Sequence, residues 1–236
     1  MSKVAQIKWN STVDATPTIY SPRIRYTQNF SRPYLRAAKK ILDIGCGIGS
    51  FTYFIDREDC FGVDLDINAL KIAKKYCPKS NFIVASGLNL PFRNNVFGLV
   101  LMWEVIEYLE RGLEKNAFQE VHRILIKGAD FLLSAPNDNL YYNIMDPDCI
   151  LLRRQRHFKI QTLIKMISEI GFSIEEHAIR GDWWTIVAMN IFYLNKYLLH
   201  TRGGKIQTFL DKKSESELHS DKKGIANIFI AAQKNT

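Results

Sequence analysis

Three glycines and one acid form the most chemically specific stretch of the chain. Residues 41–49 read Ile-Leu-Asp-Ile-Gly-Cys-Gly-Ile-Gly. An apolar, β-favouring run leads into Gly45, Gly47 and Gly49, and an apolar, aromatic segment to Ile55 follows. That order spells a strand, a tight turn and the start of a helix. Glycines let such a turn bend sharply and let a ligand touch bare backbone. Asp43 stands two residues before the first glycine. Dinucleotide loops of this shape offer a helix N-terminus to an anionic pyrophosphate, and a carboxylate in the turn repels that anion. Asp43 instead suits a ligand that carries positive charge nearby and no phosphate. Cys46, inside the loop, reads as a small packing residue and not as a nucleophile.

A second acid lies where a nucleoside needs one. Phe61-Gly62-Val63-Asp64-Leu65-Asp66 is a short apolar run that ends in carboxylates. In a doubly wound sheet the end of the second strand lies beside the ribose of a ligand held at the first turn. Asp64 can accept both hydroxyls of that ribose, while Asp66 is placed to cap a helix over Asn68–Tyr76. S-adenosylmethionine, with its ammonium and sulfonium and without phosphate, meets both conditions; NAD fails the first. Further candidates follow the fourth strand in Trp103-Glu104-Val105-Ile106-Glu107-Tyr108, at the sheet edge where open α/β folds bind ligands. Acids at that place also fit an ordinary first helical turn. His157, just before a helix, fits a surface or capping role as well as a catalytic one.

These residues require a scaffold of alternating strands and helices. Apolar patterning places strands near 40–44, 60–64, 81–85, 96–102, 130–135, 172–179 and 226–232. Helices fall near 49–56, 68–76, 117–126 and 160–170, with Gly171 as a C-terminal stop. Residues 20–40 are basic, aromatic and partly helical. Residues 137–156 read as a long loop, and Lys212–Lys223 as a polar, mobile one. The alternation implies a parallel sheet with right-handed crossovers. The 236 residues fit one domain: an N-terminal extension over 1–37, then a domain over 38–236 with an apolar insertion near 181–223. Four scattered cysteines without metal spacing, and no signal-peptide core at the start, imply a reducing, cytoplasmic setting. The net charge of +8 is spread over several segments, and no RNA-binding module accompanies it.

Several segments resemble the class I S-adenosylmethionine-dependent methyltransferases, in the small-molecule branch related to ubiquinone-biosynthesis enzymes. Ile41–Thr52 is similar to the family's glycine motif and Gly62-Val63-Asp64 to its ribose-binding acid. Ala85–Phe92 is similar to a segment that usually reads Gly-Asp-Ala-x-x-Leu-Pro-Phe, Phe97–Val100 to Phe-Asp-x-Val, and Glu120–Pro136 to the helix, Lys-Pro-Gly-Gly turn and strand that follow. The resemblance implies a Rossmann-like, three-layer α/β/α fold. Its seven-stranded sheet is mostly parallel, with an antiparallel last strand between strands five and six. It implies S-adenosylmethionine as cofactor, held by Asp43, Gly45, Cys46, Gly47, Gly49, Asp64, Leu65, Ser86, Gly87, Leu88 and Trp103. Three departures stand out: Ser86 replaces the adenine-facing acid, Gly98 replaces the Asp of Phe-Asp-x-Val, and Lys127-Gly128-Ala129-Asp130 replaces Lys-Pro-Gly-Gly.

Methyl transfer from a sulfonium needs alignment and exclusion of water more than a reactive side chain. A base is needed only where the acceptor loses a proton, and Glu104, Glu107, Tyr108 and His157 are the candidates. In the ubiquinone branch the counterpart segment reads Glu-Val-Leu-Glu-His and is associated with a divalent metal; Tyr108 takes the place of the His here, and no metal is expected. Residues 183–199 are apolar nearly all round and replace a short family link. They fit a cap over an apolar acceptor pocket, a homodimer face or a helix lying in a lipid surface. The expected partner is a small acceptor molecule, with no specific nucleic acid. The rival readings are a cofactor-binding module without transferase activity and an RNA methyltransferase.

Overall fold

The computed structural model describes residues 21–145, 156–195 and 204–235. In chain order its elements are α1 (Pro22–Leu35), β1 (Ile41–Ile44), α2 (Thr52–Ile55), β2 (Cys60–Asp64), α3 (Ile67–Tyr76), β3 (Asn81–Val84), β4 (Phe97–Trp103), a 3-10 turn (Ile106–Tyr108), α4 (Glu114–Ile124), β5 (Leu125–Pro136), α5 (Leu140–Met145), α6 (Ile160–Ile170), β6 (Phe172–Arg180), α7 (Trp183–Tyr193), α8 (Gly204–Leu218) and β7 (Asn227–Lys234). The strands form one sheet in the order β3-β2-β1-β4-β5-β7-β6. The pairs from β3 to β5 are parallel. β7 runs antiparallel to both neighbours, between β5 and β6, as the resemblance implies.

Burial explains the patterning. Phe97 and Leu99–Met102 of β4 are inaccessible to solvent, as a central strand covered on both faces must be. One face carries Phe118 and Val121 of α4 with Leu163 and Ile167 of α6. On the other, Tyr26 and Phe30 of α1 pack with Phe51, Leu101, Phe229 and Leu218 of α8. Asp66 caps α3, accepting from the Asn68 N–H at 2.8 Å. Gly171 ends α6 in the left-handed region at φ 112°. Gly98 is explained by space: a Cβ there would lie 2.6 Å from the Lys39 carbonyl oxygen, so the Asp usual at this position cannot fit.

The structure corrects four expectations. Lys212–Leu218 is not a loop but the end of α8, whose inward stripe of Gln207, Leu210, Ser214 and Leu218 has helical spacing but only two apolar members. Within 137–156, Leu140–Met145 is helical, and 146–155 lie outside the described residues. β5 begins at Leu125, so the helix before it stops earlier and Lys127–Asp130 belong to a strand. Glu107 lies within a 3-10 turn and Glu104 two residues before it, not in the first turn of an α-helix. Of the apolar segment 183–199, residues 183–193 form α7 and 196–199 lie outside the described residues.

Candidate functional site

The carboxyl ends of β1 and β4 open onto a pocket of about 220 Å³, with the glycine loop as its floor and α1 as its roof. Gly45, Gly47 and Gly49 all have positive φ, at 69°, 53° and 80°. At Gly45 a Cβ would stand 2.4 Å from Val105 Cγ2, so the loop and the turn after β4 approach as only glycine permits. The Gly45 and Cys46 N–H groups donate to the Val63 carbonyl at 2.8 and 3.1 Å. Asp64 Oδ2 accepts from the Gly47 N–H and its Oδ1 from the Asp66 N–H, both at 2.9 Å. The acid at the end of β2 therefore also fixes the middle of the glycine loop.

Asp43 lies at the pocket wall, 2% exposed. The Thr52 hydroxyl donates to its Oδ2 at 2.7 Å. Burial pushes its carboxyl up to about 7; the Thr52 hydrogen bond opposes that rise and the negative charge of Asp64 adds to it. Glu104 sits in the left-handed region at φ 55°. Its Oε1 accepts from the Ser134 hydroxyl at 2.7 Å, and its Oε2 from Arg23 Nη1 at 2.8 Å and Asn227 Nδ2 at 3.5 Å. Burial works against the charge of Arg23, but Glu104, Tyr193, Tyr142 and Glu107 together outweigh it, and the guanidinium is held above its ordinary value. Trp103 sets its ring 5.5 Å from Phe51 and 6.4 Å from Phe30.

Of the sequence candidates, Asp43, Gly45, Cys46, Gly47, Trp103 and Glu104 line this pocket. Asp64 and Leu65 continue from it at the end of β2. The Ala85 N–H donates to the Asp64 carbonyl at 3.1 Å, which brings Ser86, Gly87 and Leu88 alongside. The Ser86 hydroxyl accepts from the Leu88 N–H at 3.2 Å. Gly49 serves packing, since a Cβ there would meet Ala73 at 3.1 Å. Glu107 is 1% exposed, and Tyr108 shares its 3-10 turn; neither lines the pocket. His157 stacks on Tyr142 with ring centroids 4.8 Å apart and hydrogen-bonds Asn143, apart from the glycine loop. Sequence reasoning missed Arg23, Ile24 and Thr27 of α1, which line the roof. Their only sequence signal is a basic, aromatic stretch behind Pro22. No group of three or more His, Cys, Asp or Glu able to hold a metal occurs among the described residues.

Residues 42–133 match the family model described as a methyltransferase domain. Norajmaline N-methyltransferase of Rauvolfia serpentina is 30% identical over 128 residues, which cover 50% of this chain and 42% of that protein. The chain thus spans less than half the length of that relative. A methyltransferase dependent on S-adenosylmethionine from Archaeoglobus fulgidus superposes with a TM-score of 0.61 at 18% identity, covering 91% of this chain and 95% of that one. The [4+2]-cyclase SpnF superposes with a TM-score of 0.63 at 14% identity, covering 90% and 82%. The domain match falls on β1 through β5, the same strands that carry the glycine loop and the two acids, and over that stretch the chain is similar to methyltransferases.

Proposed function

We propose that the chain binds S-adenosylmethionine and transfers its methyl group to a small, partly apolar acceptor. One observation carries this reading: a single pocket sets two carboxylates, Asp43 and Glu104, beside one guanidinium, Arg23. That donor set matches the ammonium and carboxylate of an amino acid zwitterion and is wrong for a pyrophosphate. Arg23 would hold the carboxylate of the methionyl part and the carboxylates its positive groups. Asp64, whose oxygens keep lone pairs beyond the two backbone bonds, would take the ribose hydroxyls, and Ser86 the adenine amino group. The cofactor supplies a methyl already activated on a sulfonium. What remains for the protein is positioning, and exclusion of water by α1 and the rings of Phe51 and Trp103.

An apolar acceptor is supported by Trp103 in the pocket wall and by Tyr142 and Tyr193, which act on Arg23 from the side of α5 and α7. The name of the Rauvolfia relative, a small-molecule N-methyltransferase, points the same way. α7 is the proposed cap over that side. A cytoplasmic, reducing setting is supported by free, buried Cys46, Cys60 and Cys77. Ser86, in place of the adenine-facing acid, is what favours the second reading, a binding module without transfer. Titration calorimetry tests the proposal: S-adenosylhomocysteine should give a saturable heat and NAD none. NAD binding with no S-adenosylhomocysteine heat would end it. Formation of S-adenosylhomocysteine from S-adenosylmethionine on addition of acceptors separates the transferase from the binding module.

A further inference from the structure

Three helices at the carboxyl edge of the sheet present a ring-lined face that the pocket does not use. Tyr141 of α5 lies 5.3 Å from Trp183 of α7, and the next residue, Trp184, meets Phe209 of α8 edge-on at 6.2 Å. One ring pair joins α5 to α7 and the other α7 to α8, and each of the four rings is between 43% and 56% exposed. Leu140 and Ile144 on α5 and Ile206 on α8, the last 72% exposed, are further exposed apolar side chains of the same helices. Large contiguous apolar surface of this kind marks an interaction site.

The charges on α8 are sorted. Its three carboxylates turn toward the domain: Asp211 accepts from Gln207 at 2.8 Å, Glu215 pairs with Arg25 at 3.1 Å, and Glu217 accepts from the Asp182, Trp184 and Thr185 N–H groups at 2.9 to 3.0 Å. Lys205, Lys212 and Lys213 are exposed, and the Lys213 ammonium lies 5.8 Å over the Phe209 ring. An open groove runs between Lys205 and Lys212, with Thr208 and Phe209 as its other walls. Two ammonium groups and a hydroxyl there suit a phosphodiester. Amphipathic rings beside lysines are the composition of a surface lying at lipid headgroup level.

We propose that the α5–α7–α8 face docks on the headgroup region of an anionic lipid bilayer. A second copy of the chain is the poorer occupant, because a two-fold contact sets a patch against itself and would bring the lysines of both copies together. No helix among the described residues is long and apolar enough to cross a membrane, so the contact is one of lying on the surface. Tyr142, between this face and the pocket, makes the docked face the route by which an apolar acceptor reaches the site from lipid. That last step rests on the proposed methyl transfer; the docking does not.

Co-sedimentation of the whole chain with vesicles tests it, using phosphatidylcholine alone and phosphatidylcholine with about one third phosphatidylglycerol. The chain should sediment with the anionic vesicles, less so as salt rises, and with a blue shift of tryptophan emission. Trp184→Ser with Phe209→Ser should abolish binding, and Lys212→Glu with Lys213→Glu should weaken it at least about tenfold. These residues are on the surface, and circular dichroism checks that the variants fold. Absence of binding to anionic vesicles, or equal binding by the ring variant, overturns the proposal. So does a dimer in solution that the ring variant converts to monomer. Calorimetry with S-adenosylhomocysteine on the same variants reports on the donor site alone: no heat with the unaltered chain would overturn the methyltransferase reading and leave the vesicle result standing.

Discussion

Asp43 and Glu104 in the pocket, Asp64 beside it and the cation Arg23 govern the site, and only the acids were legible in the sequence. Asp43 and Asp64 stand at fixed short spacings from glycines and strand ends, so local pattern reveals them. Arg23 reaches Glu104 across 81 positions, and nothing in the residues around either announces the pair. The proton on Asp43 has a measurable consequence. Its carboxyl is raised from 3.8 to about 7 in the folded chain, chiefly by burial. Between those values the folded state binds more proton than the unfolded one, so raising the pH through that window costs stability, and the loss is complete above about 7. Asp43→Asn should flatten that slope, which thermal denaturation of the free protein between pH 5 and pH 8 (about that range) measures. A cationic ligand favours the ionised form, so the proposed cofactor should bind less tightly as pH falls below 7. Asp64→Ala should weaken S-adenosylhomocysteine binding by about 1.5–3 kcal/mol, the scale of hydrogen bonds to a charged group. Unchanged affinity by calorimetry would remove Asp64 from the site.

At the scale of elements, hydrophobic period reads well where a helix buries a full apolar stripe and fails where it buries a polar one. α6 shows Ile160, Leu163 and Ile167 openly. α8 fills the same geometric need with Gln207 and Ser214 among its four buried residues, and its run of lysines and glutamates resembles a loop. Its acids have work that sequence spacing cannot show. The N-terminus of α7 has no side-chain cap from Asp182. Glu217 supplies it from α8, accepting three backbone N–H groups and the Thr185 hydroxyl at 3.0 Å. Glu217→Ala should therefore lower stability by about 1–2 kcal/mol, the upper range for loss of a helix cap, in chemical denaturation. A change within error would mean that water caps α7 equally well.

For the whole molecule, the sheet order and the layers followed from the alternation of apolar runs together with the family resemblance, and the structure agrees with both. The surface did not follow. A net charge of +8 says nothing of where the charge faces. Only the fold shows the acids of α8 turned inward and its lysines outward.

The placement of β7 also sets the timing of assembly. Residues 227–234 pair with β5 on one side and β6 on the other, so the strand latest in the sequence fills a gap between two earlier ones. Until it arrives, two long edges stand open in the middle of the molecule, and open edges invite pairing with other chains. Contacts so distant in sequence also slow the search for the native state. Refolding should be slow, and its yield should fall as protein concentration rises. Pulsed hydrogen exchange should find the amides of β7 and of the β5 edge facing it protected last, after β1 and β4. Early protection of β7 would show that the gap never stands open.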